Sequence, residues 1–201
     1  MVNSPPPQEI AFRPVEERDF PLLSAWLAQP HVRKFYQKTS VTLEDVASEY
    51  GPCVRGEEPG ICHLAISAGK PFAYLQCYRN AEYPEWAELI GEHGGISVDL
   101  FIGDTTYLRK GFGRAALSGY LQRVAFPNYN REPRAYIAHE QVNTAALRCS
   151  QATGFRPIRA FLEDGVEMLL LTADRSSAER LAPGSGKPVD VSSRGGVAPA
   201  W

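Results

Sequence analysis

Apolar positions along the chain alternate between two periods. Near the N-terminus "IAFRPV" is extended and β-rich, and from Asp19 the period lengthens: Phe20, Leu23, Trp26 and Leu27 recur at helical spacing. Asp19 stands as the N-cap and Pro21 lies in the first turn, with Pro30 expected to end the helix. Thr42 followed by Asp45 resembles a capping box and predicts a second helix to about Tyr50, with "GPCVRGEEPG" as loop. "ICHLAIS" and "PFAYLQCYR", joined by "AGK", predict a hairpin. In "ISVDLFIG" strict alternation puts Ile96, Val98, Leu100 and Ile102 on one face and Ser97, Asp99 and Phe101 on the other. A helix is predicted from Gly111 to Val124, a strand at "RAYIAHE", and a helix over "NTAALRCSQATGF" stopped by Gly154. "RPIRAFLEDGVEMLLLTA" reads as two strands turned at Asp164-Gly165. The order β-α-α-β-β-β-α-β-α-β-β predicts one mixed α/β domain over residues 8–174. From Arg175 to 201 Ser, Gly, Pro and charge replace any period, which predicts a disordered tail.

Composition narrows the function classes. With Lys+Arg 21 and Asp+Glu 23, the formal net charge is -2, so no whole-chain argument for nucleic acid or an anionic membrane exists. No apolar run approaches the roughly 20 residues that span a bilayer, and "MVNSPPPQEIAF" lacks the apolar segment of a secretory leader. Cys53, Cys62, Cys77 and Cys149 form no C-x-x-C pair and have no zinc spacing with the histidines, so reduced thiols in a cytoplasmic protein without a metal are expected.

The chemistry concentrates around "LRKGFGR". Gly111 and Gly113 sit among Arg109, Lys110 and Arg114 just before an amphipathic run, the arrangement of a loop feeding a helix N-terminus that binds an anion. No glycine is followed by Lys and Ser/Thr in the P-loop frame. Gly111-Phe112-Gly113 with Ala116 satisfies a loose dinucleotide fingerprint, but that motif belongs in the first βαβ unit of a parallel sheet, and here a hairpin precedes it. A plain glycine turn with solvated charges also fits the residues.

A third reading comes from resemblance. The loop resembles the pyrophosphate loop of the GNAT acetyltransferases, [QR]-x-x-G-x-[GA], with Leu108 at the first position in place of Gln or Arg. The longer pattern resembles the aminoglycoside 6'-N-acetyltransferases, which also carry Leu there and place an Asp nine residues earlier, as Asp99 precedes Leu108 here. "AWLAQPHV", "AYLQCY" and "NTAALRCSQATGF" resemble further segments of that family, over about residues 11–172. The resemblance implies the GNAT fold, a mixed central sheet flanked by helices, with acetyl-CoA as co-substrate. It implies cofactor contacts from Phe101, Ile102, Leu108, Arg109, Lys110, Gly111, Phe112, Gly113, Arg114 and Asn143. Lacking Cβ, both glycines are expected to let the backbone approach the phosphates.

On the acceptor side, Asn80–Leu108 holds six acids (Glu82, Glu85, Glu88, Glu92, Asp99, Asp104) and no Lys or Arg. If "PEWAELIGEHG" is helical, Glu85, Glu88 and Glu92 share a face, and with Tyr83 and Trp86 they suit a small cationic amine. The expected acceptor contacts are Tyr36, Glu82, Glu85, Trp86, Asp99 and Glu140. An alkylammonium titrates near roughly 10.4, so a proton must leave before attack, and Asp99 is the candidate base or ammonium anchor. Ser150 stands where the resemblance places a tyrosine acid, and Ala138 stands where it places a substrate-binding Asp. A siderophore-type acyltransferase acting on lysine or N-hydroxylysine shares the layout but carries His at position 99. A non-catalytic acyl-CoA-binding module is the other alternative, and a monomer or weak homodimer is expected.

Overall fold

Two tight turns organise the sheet. Ala68 and Gly69 both take positive φ (49° and 75°), and so do Asp164 and Gly165 (48° and 79°), the geometry of a two-residue turn that matches strand twist. The first closes β2 (Ile61–Ser67) onto β3 (Lys70–Arg79), and the second closes β6 (Arg156–Glu163) onto β7 (Val166–Asp174). With β1 (Ile10–Pro14), β4 (Ile96–Ile102) and β5 (Arg134–Glu140) they form one seven-stranded sheet, ordered β1-β2-β3-β4-β5-β7-β6. The structure, a computed structural model, describes residues 9–36 and 38–176.

All neighbours are antiparallel except β4 and β5. That parallel pairing is confined to Ile96 with Ala135 and Ser97 with Tyr136. Beyond it the two strands separate, so from Val98 onward the β5-facing edge of β4 lies open inside the sheet.

The register assigns side chains to two faces, because paired residues point the same way. One face carries Tyr74, Gln76 and Tyr78 from β3, Ser97, Asp99 and Phe101 from β4, Tyr136, Ala138 and Glu140 from β5, and Met168 and Leu170 from β7. Phe161 and Glu163 of β6 continue it. The helices α1 (Phe20–Leu27) and α3 (Leu43–Arg55) cover its β2–β4 end, burying Leu23, Leu27, Val46, Tyr50, Leu64, Tyr74 and Phe101 together. The helix α4 (Pro84–Ile90) covers the other end through Ile90 and Trp86, packed with Tyr136, Leu170 and Phe161. The opposite face is apolar: Phe72, Leu75, Val98 and Ile137 pack under Leu117, Tyr120 and Leu121 from α5 (Phe112–Tyr120) and the π-helical segment after it. The helix α7 (Thr144–Ala152) lies beside α5 and β5.

Several expected boundaries are corrected. Pro30 does not terminate the first helix; α1 ends at Leu27, and Pro30 opens α2 (Pro30–Arg33), where its missing N–H costs nothing. The capping box forms as read, Thr42 Oγ1 accepting from the Asp45 N–H at 3.1 Å and Asp45 from the Thr42 N–H at 2.7 Å. That helix, however, runs through Pro52 to Arg55. Its extra turn is closed by Gly56 at φ 72° and by Glu57 N–H to Pro52 C=O at 2.8 Å, and it brings Cys53 and Val54 onto the core. The helix after the glycine loop passes Val124 through a π-helical Leu121–Ala125 into α6 (Phe126–Asn128). Pro127 has no N–H to continue the regular ladder there. Arg175 belongs to the domain rather than to a tail: its guanidinium donates to the carbonyls of Phe126, Tyr129 and Glu132 at 2.8–3.0 Å. The rest of the expected tail, from 177, lies outside the described residues. Among the described residues no helix is long and apolar enough to cross a membrane.

Candidate active site

The site lies where the open edge of β4 meets the glycine loop. Backbone N–H and C=O groups at an open strand edge seek partners, and an extended ligand bearing amide groups supplies them in the manner of an added strand. At the end of β4 the Ile102 carbonyl is already bonded, with His31 Nε2 at 2.7 Å. Gly103 follows against Trp26, and the chain turns through Thr105–Tyr107 into the loop. Tyr107 stacks on Phe72 at 4.6 Å and meets Phe112 edge-on at 4.7 Å, so an aromatic cluster pins the base of the loop.

The two glycines have different surroundings. Gly111, the N-cap of α5, sits at φ 84°, and a Cβ there would meet nothing within 4 Å, so its need is conformational and its surroundings are open. A Cβ on Gly113 would come within 3.2 Å of Cys149 Sγ, so this glycine lets α5 approach α7. The first N–H groups of α5 have no helical acceptor, and Arg109, Lys110 and Arg114 are exposed around them. Arg109 itself holds φ 59°. Free amides, a helix N-terminus and three cations fit a pyrophosphate.

Asp99 is half-buried on the face opposite α5, one strand from Gln76. Gln76 Nε2 donates to Asp99 Oδ2 at 2.9 Å, and the Tyr74 hydroxyl donates to Gln76 Oε1 at 2.6 Å, which fixes the amide's orientation. Burial raises the Asp99 carboxyl above its ordinary value, and the Gln76 N–H opposes that rise. Phenols surround it: Tyr36 meets Phe101 edge-on at 4.7 Å, and burial pushes the hydroxyls of Tyr36, Tyr50 and Tyr78 well up, so all are neutral donors. Trp86 donates from Nε1 to Ser97 Oγ at 2.8 Å, and Ser97 donates on to Asn80 at 2.7 Å, holding the indole on the face that bears Asp99.

The structure thus brings together Asp99, Tyr36, Trp86 and Glu140 on one face, but not the other expected acids. Glu82 pairs with Arg79 at 3.2 Å, and Arg79 stacks on Tyr129. Glu85 is exposed on α4. The shared face expected for Glu85, Glu88 and Glu92 does not form, because Gly91 ends α4 at φ 65° and Glu92 beyond it accepts from the Tyr136 hydroxyl at 2.7 Å. Phe101 does not turn its ring toward the loop: it stacks on Tyr74 at 5.2 Å within the α1–α3 core, leaving only its backbone on the open edge. Ile102 and Leu108 lie half-buried beside the loop. Asn143 caps α7, its Oδ1 accepting from Ala146 N–H at 3.2 Å.

Ser150 is fully buried, and its Oγ lies 2.7 Å from His139 Nε2. Burial pushes His139 down to about 4, so the imidazole is neutral at pH 7. A neutral imidazole and an aliphatic hydroxyl form a poor acid pair, and Ser150 Oγ is engaged by His139.

Sequence reasoning misses Gln76 and Glu163. Gln76 was findable, as the polar position in the alternation "YLQCY". Glu163 carries no signal, since an acid beside an Asp-Gly turn is commonplace. Among the described residues no group of three His, Cys, Asp or Glu could hold a metal ion.

Comparison with known proteins follows the same geometry. Residues 15–162 match the acetyltransferase (GNAT) domain family. The aminoglycoside N(6')-acetyltransferase type 1 of Klebsiella pneumoniae is 24% identical over 149 residues, covering 73% of each chain. The structure of AAC(6')-Ib in complex with paromomycin and acetyl-CoA superposes with TM-score 0.77 at 24% identity, over 89% of this chain and 100% of that one. An aminoglycoside N(6')-acetyltransferase from Legionella pneumophila superposes with TM-score 0.68 at 18% identity, over 90% and 100% of the two chains. A sheet that opens between its parallel strands β4 and β5, a glycine-capped helix start at that opening and a match over residues 15–162 identify the chain as a member of the GNAT acetyltransferase family, enzymes that use acetyl-CoA.

Proposed function

We propose that the protein transfers an acetyl group from acetyl-CoA to a primary amine of a small polycationic acceptor, the 6'-amine of an aminoglycoside. The observation that carries the reading is Asp99: a carboxylate of raised pKa, oriented by Gln76, on the strand whose open edge leads to the anion loop. Its surroundings are phenols, Trp86 and the further acids Glu140 and Glu163, which suits an amino sugar with several ammonium groups. The activity for which these relatives are named agrees with this chemistry.

Acetyl-CoA supplies the thioester when its pyrophosphate lies on the N–H groups of residues 111–114 and its extended arm along β4. Arg109, Lys110 and Arg114 neutralise the phosphates. Asp99 receives the acceptor ammonium as a charged hydrogen bond, holds it at the strand edge and takes one proton to free the nitrogen lone pair; the nitrogen then bonds to the acetyl carbon, the C–S bond breaks, and the second N–H proton passes to the departing thiolate. The thiol that departs has an ordinary pKa of roughly 8.5, low enough to leave without a strong acid, which accords with Ser150 in the tyrosine position.

The test is thiol release from acetyl-CoA with a panel of amines that includes kanamycin-type aminoglycosides and N-hydroxylysine, with the acetylated position mapped by NMR. Acetylation at the 6'-amine supports the reading. Turnover of N-hydroxylysine alone moves the function to the siderophore-type acyltransferases, and coenzyme A binding with no turnover of any amine overturns it.

A further inference from the structure

Glu140 already holds a cation. Lys38, on the segment between α2 and α3, extends to it with Nζ 2.7 Å from Oε1; the lysine side chain is 53% exposed and the glutamate side chain only 12%. Tyr36, two residues earlier, meets Phe101 edge-on, so Tyr36 and Lys38 both lie over the Asp99 face. Glu140 shares a cross-sheet row with Met168 and Phe161, and Glu163 stands two residues along from Phe161 on the same face. Glu163 feels the charges of both Asp99 and Lys38. Three carboxylates, Asp99, Glu140 and Glu163, therefore line one trough, and the chain's own primary ammonium occupies one of them.

We propose that Lys38 determines acceptor specificity by occupying, as a tethered ammonium, the Glu140 subsite that a second ammonium group of a polycationic acceptor would take. The inference rests on the acceptor reading above for the identity of the competing cation, but the occupied subsite stands by itself. An acceptor with one amine engages Asp99 and leaves Lys38 in place. An acceptor with several must displace Lys38 from Glu140. Because the lysine is half exposed, the pair is weak enough to exchange, and its displacement moves no backbone.

Two measurements on the full chain test this. In Lys38→Gln, KM for kanamycin falls about two- to fivefold, the range expected for losing a competing ion pair of this exposure. KM for 6-amino-6-deoxyglucose, which has one amine, and KM for acetyl-CoA stay constant. An unchanged or raised KM for kanamycin, or an equal fall for both acceptors, overturns the proposal. Independently of turnover, the rate at which acetic anhydride labels Lys38, read by peptide mass spectrometry, rises in Glu140→Gln and rises in the wild type when kanamycin is added. Equal labelling in wild type and Glu140→Gln, or labelling slowed by kanamycin, overturns it. Should no amine be acetylated, the proposed function falls while the labelling result still decides the occupancy of Glu140.

Discussion

Replacing Gly103 by alanine isolates the packing that holds the end of β4 in place. A Cβ at this position would lie 1.9 Å from Trp26 Cδ2 and 2.2 Å from Cγ, atoms near the root of a buried ring that cannot swing aside. The glycine has no positive φ, so alanine brings no backbone strain and the cost is purely steric. Overpacking of this kind costs about 1–3 kcal/mol. For a domain of this size each kcal/mol moves Tm by about 2–4 °C, so a fall of about 2–12 °C is expected by circular dichroism. Trp26→Ala alone costs about 3–5 kcal/mol through lost burial. Once the ring is gone, alanine at 103 has nothing to strike. The double variant should therefore melt with Trp26→Ala, not lower, giving a coupling energy equal and opposite to the cost of Gly103→Ala. Because Gly103 follows Ile102, whose carbonyl meets His31, Gly103→Ala should also raise KM for acetyl-CoA. Additive melting of the two single variants, or an unchanged Tm in Gly103→Ala, would refute the reasoning.

Asp99→Asn should lower kcat/KM by about 10²–10⁴. It should also remove an acid limb that in the wild type lies above the ordinary aspartate value of 3.8, with rate rising as pH rises through it; full activity in this variant sinks the base assignment. Ser150→Ala should keep turnover within about tenfold and lose about 1 kcal/mol of stability as His139 loses its partner; loss of nearly all activity would restore Ser150 as a proton donor. His63 and His139 both fall from 6.5 to about 4 on burial. The unfolded chain therefore binds more protons between those values, and stability is full above pH 6.5 and falls as pH drops toward 4. Urea titrations should show that slope, and His139→Asn should flatten it.

Local chemistry was legible in the chain where a few neighbouring residues decide the conformation. Thr42 and Asp45 form the capping box that their spacing predicts, Gly69 and Asp164-Gly165 turn strands through their own φ preferences, whereas Ala68 at φ 49° does so against its own, and the alternation over Ile96–Ile102 separates Asp99 from the apolar face. The glycine loop and the nine-residue step from Asp99 to Leu108 drew attention through resemblance to a family, not through local conformation. Tertiary structure decided everything that depends on which strand lies beside which. Inserting β7 between β5 and β6 puts Glu140 and Glu163 on the face of Asp99, and the short β4–β5 pairing opens the edge beside it. Packing carried α3 past Pro52, turned the Phe101 ring into the α1–α3 core and required Gly113 beneath Cys149. Such contacts join residues tens of positions apart, and a period read along one segment has no information about the register of another.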